Sequence, residues 1–443
     1  MGRLKVKTFQ GKINGVVRVP ASKYHLHRAL IFGSLAEGKT RITGQSGALH
    51  IKDSLNSLKD LGINISKTKD GYVVEGGQYA PKNDIVRVGS SGTTSQFLIG
   101  LGSLSKERPA VYDGHKALKA RPMGPLLDAL SDMGVKLESD NGRLPVTVYP
   151  GLPKGGHIKI KGTLSQWISG LLILAPFAAE DTIIEAIPPL NEKTYIHLTI
   201  HMLSQFGIKV IEHENGRMWT VPAKQSYQPC QMTIEPDLSS AAFLFVLAAL
   251  HPSDLTLEGI SQAGSHPEGR ILEIVQKMGL PVGIDRENDC IHIKHDGIRT
   301  TAGLDIDMKD IPDLIPAMCV LASLSKGKTV LRNVGPGRFK ESDRVKAMLQ
   351  LNKMGADIKE EGDHLIINGT ESLKAAPIST YNDHRVEMAF ALAATRAKGV
   401  SDLTFPNAFK ISYPEFLEHM KQLGLSMKIE SDRKQVKETV SVW

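Results

Sequence analysis

Six glycines set the terms for what this chain can fold into. Gly62, Gly134, Gly207, Gly279, Gly355 and Gly424 each follow apolar residues at helical spacing, and they stand 72, 73, 72, 76 and 69 positions apart. A glycine just past the last periodic residue is a helix C-terminal signal, because the backbone there commonly takes a positive φ. An alternating strand follows each glycine; in the first five copies a turn of Asp-Gly, Asn-Gly, Asn-Asp or Gly-Asp type then leads to a second strand. The last copy ends after its first strand. A period of about seventy residues exceeds the ~20–50 of a solenoid unit. Each copy therefore reads as a small α/β fold, and six copies need a shared core.

A second series interleaves with the first. The segments SKYHLHRALIF, GTTSQFLIGL, SQWISGLLIL, LSSAAFLFVLAAL, IPDLIPAMCVLASL and DHRVEMAFALAATR are apolar nearly all round in their bodies, as buried helices are, but polar at their starts. A buried helix aims its unpaired N–H groups and positive dipole end outward from its start, so six converging starts would make an anion-binding floor. Ordinary N-capping accounts for Ser239 and Ser240. It does not account for Lys23, Arg28, His384 and Arg385, which are costly beside a buried helix unless something negative is there.

Composition excludes other classes. The net charge of +7 comes from 54 basic against 47 acidic residues dispersed along the chain, and aromatics are only 5%, which disfavours nucleic-acid binding. There is no apolar run of bilayer length. Cys230, Cys290 and Cys319 are scattered, with no Cys-x-x-Cys and no histidine read at ligand spacing, so neither metal nor cofactor is expected. The opening GRLKVKTFQGK lacks the apolar core of a signal peptide, so a cytoplasmic protein is expected.

Charged residues concentrate at a few points. RFKESDR places Arg338, Lys340, Glu341, Asp343 and Arg344 within seven positions after NVGPG. If Lys340 to Arg344 open a helix, Lys340 and Arg344 share a face. Gly92 in GSSGTT lets backbone N–H groups approach an anion closely, and Arg121, just before Pro122, is held extended.

These motifs, in order from Lys23 to Lys410, resemble the enolpyruvyl transferases and within them the EPSP synthase (3-phosphoshikimate 1-carboxyvinyltransferase) family. The resemblance rests on SKxxxxRAL, SGTT, ARPMG, SQ, IPD, KESDR, YNDHR and a lysine before Tyr-Pro. It implies an inside-out α/β fold, a two-domain barrel of six βαβαββ repeats, three per domain, closing over its substrates. Residues 1–20 and 235–430 would form the C-terminal lobe, 21–234 the N-terminal lobe, and 431–443 a polar tail, with hinges near Pro20 and Pro236. The implied reaction transfers the enolpyruvyl group of phosphoenolpyruvate to a hydroxyl of shikimate 3-phosphate, releases phosphate, and proceeds through a tetrahedral adduct without a metal.

The resemblance assigns phosphoenolpyruvate binding to Lys23, Gly92, Arg121, Gln166, Arg344, His384, Arg385 and Lys410. It assigns catalysis to Asp313, Glu341 and Lys23, and acceptor binding to Tyr24, Arg28, Ser165, Gln166, Tyr195, Asp313 and Lys340. The partners implied are these small molecules, with no nucleic acid or membrane and a monomer expected. Five places depart from the family pattern: Tyr24 replaces a serine, the paired serines before glutamine appear as Leu164-Ser165-Gln166 with Ser165 alone, Glu192 aligns with a phosphate-binding serine, Pro336 or Gly337 stands where asparagine is common, and Gln96 stands where arginine is usual. They leave a different, possibly non-phosphorylated cyclic acceptor as an alternative. A non-catalytic phosphoenolpyruvate-binding protein would need neither Asp313 nor Glu341, and both are present.

Overall fold

The computed structural model describes residues 2–260, 264–301 and 303–430, so the segment read as a polar tail lies outside the described residues. The chain divides into two compact units: an end unit of Met1–Val19, Leu238–Ala263 and Glu268–Trp443, and a middle unit of Pro20–Asp237 with Gly264–Pro267. Each carries its own hydrophobic core.

Three helices form the centre of each unit. In the middle unit they are α1 (Lys23–Leu35), α2 (Gly92–Leu101) and α3 (Ser165–Leu174); in the end unit, α4 (Leu238–Leu250), α5 (Ile315–Leu324) and α6 (His384–Arg396). Every residue of α1, α4 and α5 is buried, which explains why these segments read as apolar on all sides. The sheets cover the helices with one face in and one face out, the reverse of the usual arrangement. No helix among the described residues is long and apolar enough to cross a membrane.

The sheets repeat one pattern. In the middle unit, Gly156–Lys161 and Thr182–Ile187 run parallel on either side of α3, and Met218–Val221 pairs antiparallel with the second of them. Val86–Gly89, Ala110–Gly114 and Arg143–Val148 do the same around α2. In the third sheet the strand parallel to Gly38–Thr43 is Gln231–Thr233, from the far end of the unit. The end unit shows the same displacement twice. Ile13–Arg18 runs parallel to Ser253–Glu258, and Arg3–Lys7 pairs antiparallel with both Val400–Leu403 and Met427–Glu430. The first strand of the chain thus supplies what the last copy lacks.

All six repeat glycines sit in the left-handed region, with φ between +76° and +93°. Their surroundings differ. A Cβ on Gly62 would meet the Ala80 carbonyl oxygen at 2.5 Å, whereas nothing lies within 4 Å of one on Gly355. Gly355→Ala should cost about 1 kcal/mol, the conformational term alone, and Gly62→Ala roughly 3 kcal/mol as the clash is added. Urea unfolding followed by circular dichroism measures both; equal losses would refute the clash.

Candidate active site

In the end unit the charged residues gather on one arginine. Arg344 is fully buried. Its Nε donates to Asp383 Oδ2 at 2.9 Å, Nη1 to Asp313 Oδ1 at 2.5 Å, and Nη2 to Glu341 Oε2 at 2.6 Å. Burial alone would lower the guanidinium pKa, but Asp383, Asp313 and Glu341 together hold it well above its ordinary value. Asp313 bridges to a second buried arginine: its Oδ2 lies 3.3 Å from Arg385 Nη2. The arginines are thus fixed by carboxylates in directions suited to a small anion.

Local structure explains these placements. Asp313 sits in the 3-10 turn Pro312–Leu314 that leads into α5. Asp383 caps α6, accepting the N–H of Arg385 at 2.9 Å, so one side chain starts the helix bearing His384 and Arg385 and orients Arg344. Lys410 is exposed in the 3-10 turn Ala408–Ile411, its Nζ 5.9 Å from the Phe409 ring centroid. The expected helix from Lys340 is corrected: the helix is Arg344–Met348, because Asp343 caps it by accepting the Lys346 N–H at 3.0 Å, and Lys340 stands outside in extended backbone. Ser239 is corrected too, since its hydroxyl accepts from Arg385 Nη2 at 3.0 Å, a role beyond N-capping.

The middle unit brings together a second set. A Cβ on Gly92 would lie 3.2 Å from Arg121 Nη1, 3.8 Å from Gln166 Oε1 and 3.8 Å from Gln96 Nε2. Three separate segments therefore meet at the start of α2, where Ser91 caps by accepting the Thr94 N–H at 3.1 Å. Gln166 donates to Thr93 Oγ1 at 2.8 Å, a partner the sequence reading passed over. Among the described residues no carboxylate pairs with Arg121.

Lys23, Tyr24 and Arg28 lie at the start of α1, all buried. Lys23 Nζ stands 5.3 Å from the Tyr24 ring centroid, and Tyr24 packs edge-on against Tyr195 and His266 at 5.2 and 5.5 Å. Arg28 donates to Thr199 Oγ1, Tyr24 O and Tyr195 O, all neutral. Burial without a carboxylate partner among the described residues pushes its pKa down to about 9. Glu192 accepts from the N–H and hydroxyl of Ser165 at 3.2 and 2.8 Å, so its carboxylate caps α3.

Among the described residues, two groups combine metal-ligand types. Glu341, Asp383 and His384 belong to the arginine cluster; Asp285, Cys290 and His292 lie on the hairpin of Val282–Asp285 and Cys290–His295, a proximity that searching for Cys-x-x-Cys spacing missed.

Residues 7–420 match the family model described as EPSP synthase (3-phosphoshikimate 1-carboxyvinyltransferase). A relative from Methanocaldococcus jannaschii, named 3-phosphoshikimate 1-carboxyvinyltransferase, is 37% identical over 424 residues, covering 94% of this chain and 97% of its own length. One from Methanocorpusculum labreanum with the same name is 35% identical over 96% of this chain and all of its own. A solved EPSP synthase structure from Acinetobacter baumannii superposes with a TM-score of 0.79 at 27% identity, covering 97% of this chain and all of that one.

The shared use of Asp383 as helix cap and arginine partner predicts a large cost for its loss. Asp383→Ala should destabilise the chain by about 3–5 kcal/mol, because a buried charge loses a partner. Asp343→Ala, at a half-exposed cap, should cost only about 1 kcal/mol. Chemical denaturation of the two variants compares them, and equal costs would count against the buried cluster as a stability element.

Proposed function

The chain belongs to the EPSP synthase (3-phosphoshikimate 1-carboxyvinyltransferase) family, and from that premise we propose how its polar residues carry the reaction. The enzyme transfers the carboxyvinyl group of phosphoenolpyruvate to a hydroxyl of shikimate 3-phosphate and releases phosphate. Phosphoenolpyruvate is a compact polyanion. Its binding is assigned to Lys23, Gly92, Arg121, Gln166, Arg344, His384, Arg385 and Lys410, with the arginines as multidentate donors. The observation that carries this reading is the convergence of Arg121, Gln166 and Gly92 within a few ångströms, beside an arginine with no carboxylate partner among the described residues.

Chemistry then needs two proton movements. C3 of phosphoenolpyruvate gains a proton as the acceptor hydroxyl oxygen bonds to C2, and the hydroxyl proton leaves, giving a tetrahedral adduct. A proton then leaves C3, the C2–O bond to phosphate breaks, and the double bond re-forms as inorganic phosphate departs. Asp313 takes the hydroxyl proton, and Glu341 with Lys23 serves C3. Both carboxylates sit on Arg344 N–H donors, so an anion competing for those donors raises the basicity of the carboxylates it displaces. Basic groups held in place stabilise charge in the transition state without reorganising.

For the acceptor, Arg28 offers an uncompensated cation for a carboxylate, with Tyr24, Ser165, Gln166, Tyr195, Asp313 and Lys340 completing the contacts. A non-phosphorylated acceptor is the less favoured reading. Glu192, one of the departures behind it, has its carboxylate engaged by Ser165 at the start of α3.

Phosphate release from phosphoenolpyruvate should require shikimate 3-phosphate; release that is absent with this acceptor would overturn the reading. Glu341→Gln and Asp313→Asn should each lower kcat by about 10²–10⁴-fold while calorimetry still detects phosphoenolpyruvate binding. Unchanged turnover in both would refute the assigned roles.

A further inference from the structure

Glu387 lies one turn along α6 from His384, and the reaction as described makes no use of it. Its side chain is fully buried. Oε2 accepts the backbone N–H of Phe409 at 2.6 Å, and Oε1 has no hydrogen-bond partner among the described residues. Phe409 belongs to the 3-10 turn Ala408–Ile411, which carries Lys410. The amides of such a turn's first residues have no partner within it. Those of Ala408 and Lys410 bond to the carbonyls of Phe405 and Asn407, whereas that of Phe409 finds its partner in the carboxyl of Glu387.

We infer that Glu387 is a positioning residue for phosphoenolpyruvate binding, tying the turn that bears Lys410 to the helix that begins with His384 and Arg385. The inference rests on the assignment of those three residues to phosphoenolpyruvate. Helix α6 is anchored at its start by Asp383 and packed along its length in the core, so it is the rigid member of the pair. The turn is short, with Ala408, Phe409 and Ile411 buried and Lys410 exposed. An acceptor projecting from the helix therefore fixes where the turn, and with it the lysine, stands. No cationic side chain ion-pairs with Glu387 among the described residues. Desolvation pushes its carboxyl up to about 8, against the partial opposition of the Phe409 and Ala408 amides and the Lys410 charge. A glutamine at this position keeps an oxygen that can accept the Phe409 N–H.

Steady-state kinetics of Glu387→Gln and Glu387→Met, with thermal melts of each, test the inference. Methionine keeps the volume and the helix propensity but cannot accept the Phe409 N–H. Glu387→Met should raise the KM for phosphoenolpyruvate about tenfold and leave the KM for shikimate 3-phosphate near that of the parent. Glu387→Gln should restore the phosphoenolpyruvate KM to within about threefold. A methionine variant with an unchanged phosphoenolpyruvate KM, or a glutamine variant as impaired as methionine, would overturn the proposal. Lys410→Met, alone and combined with Glu387→Met, closes a double-mutant cycle. The Glu387 effect should largely vanish in the Lys410→Met background, and additive effects would also overturn it. Should Glu387→Met fail to fold, Glu387→Ala enters the same cycle. If the parent enzyme releases no phosphate from phosphoenolpyruvate with shikimate 3-phosphate, it is the functional reading that fails, and calorimetric affinity for phosphoenolpyruvate alone then decides the role of Glu387.

Discussion

The charged cluster of the end unit hangs on the burial of one guanidinium. Arg344 cannot shed its proton, so removing it from water demands compensation, and Asp313, Glu341 and Asp383 provide it through three separate N–H directions. Those carboxylates come from three different segments. The arginine thus fixes the position of the three carboxylates, and they fix the arginine. Such a cluster is an expensive way to hold a fold together. Its value lies in preorganisation, since charge appearing during the reaction meets dipoles that are already aligned.

The middle unit brings an arginine, a glutamine and a glycine backbone together at one helix start. Its α2 starts at a glycine, and the absence of a side chain there admits Arg121 and Gln166 to the same spot. The two units are built alike, three largely buried helices under three four-stranded sheets, yet only in the end unit do carboxylates gather on a buried arginine among the described residues. A repeated scaffold therefore leaves chemistry to the residues at the helix starts, where the sequence is polar in every copy.

Much of this was legible in the chain. The six-fold period was, because each copy needs a residue at positive φ after its surface helix, and all six glycines take it. Helix starts carrying Lys23, Arg385 and Gly92 were legible because charge and glycine are out of place beside an apolar run. What escaped reading depended on partners far away in sequence. Glu192 looked like a ligand-facing carboxylate until Ser165 claimed it. Asp383 drew no attention in the sequence, and only its contact with Arg344, 39 residues away, joins it to the arginine cluster. Glu387 reads as one polar residue in an apolar helix. Nothing local says that it meets the amide of Phe409.

The strand Arg3–Lys7 carries a consequence for how the molecule is made. Lys5 finds its partner Asp402 at a separation of 397 residues. At about 5–20 residues per second the ribosome needs roughly 20–80 s to deliver the partner strands. During that interval the middle unit has all of its own sheets and can close, while an alternating strand with one apolar edge waits outside. Biogenesis therefore proceeds from the inside of the sequence outward, and the earliest residues made are among the last to find their place.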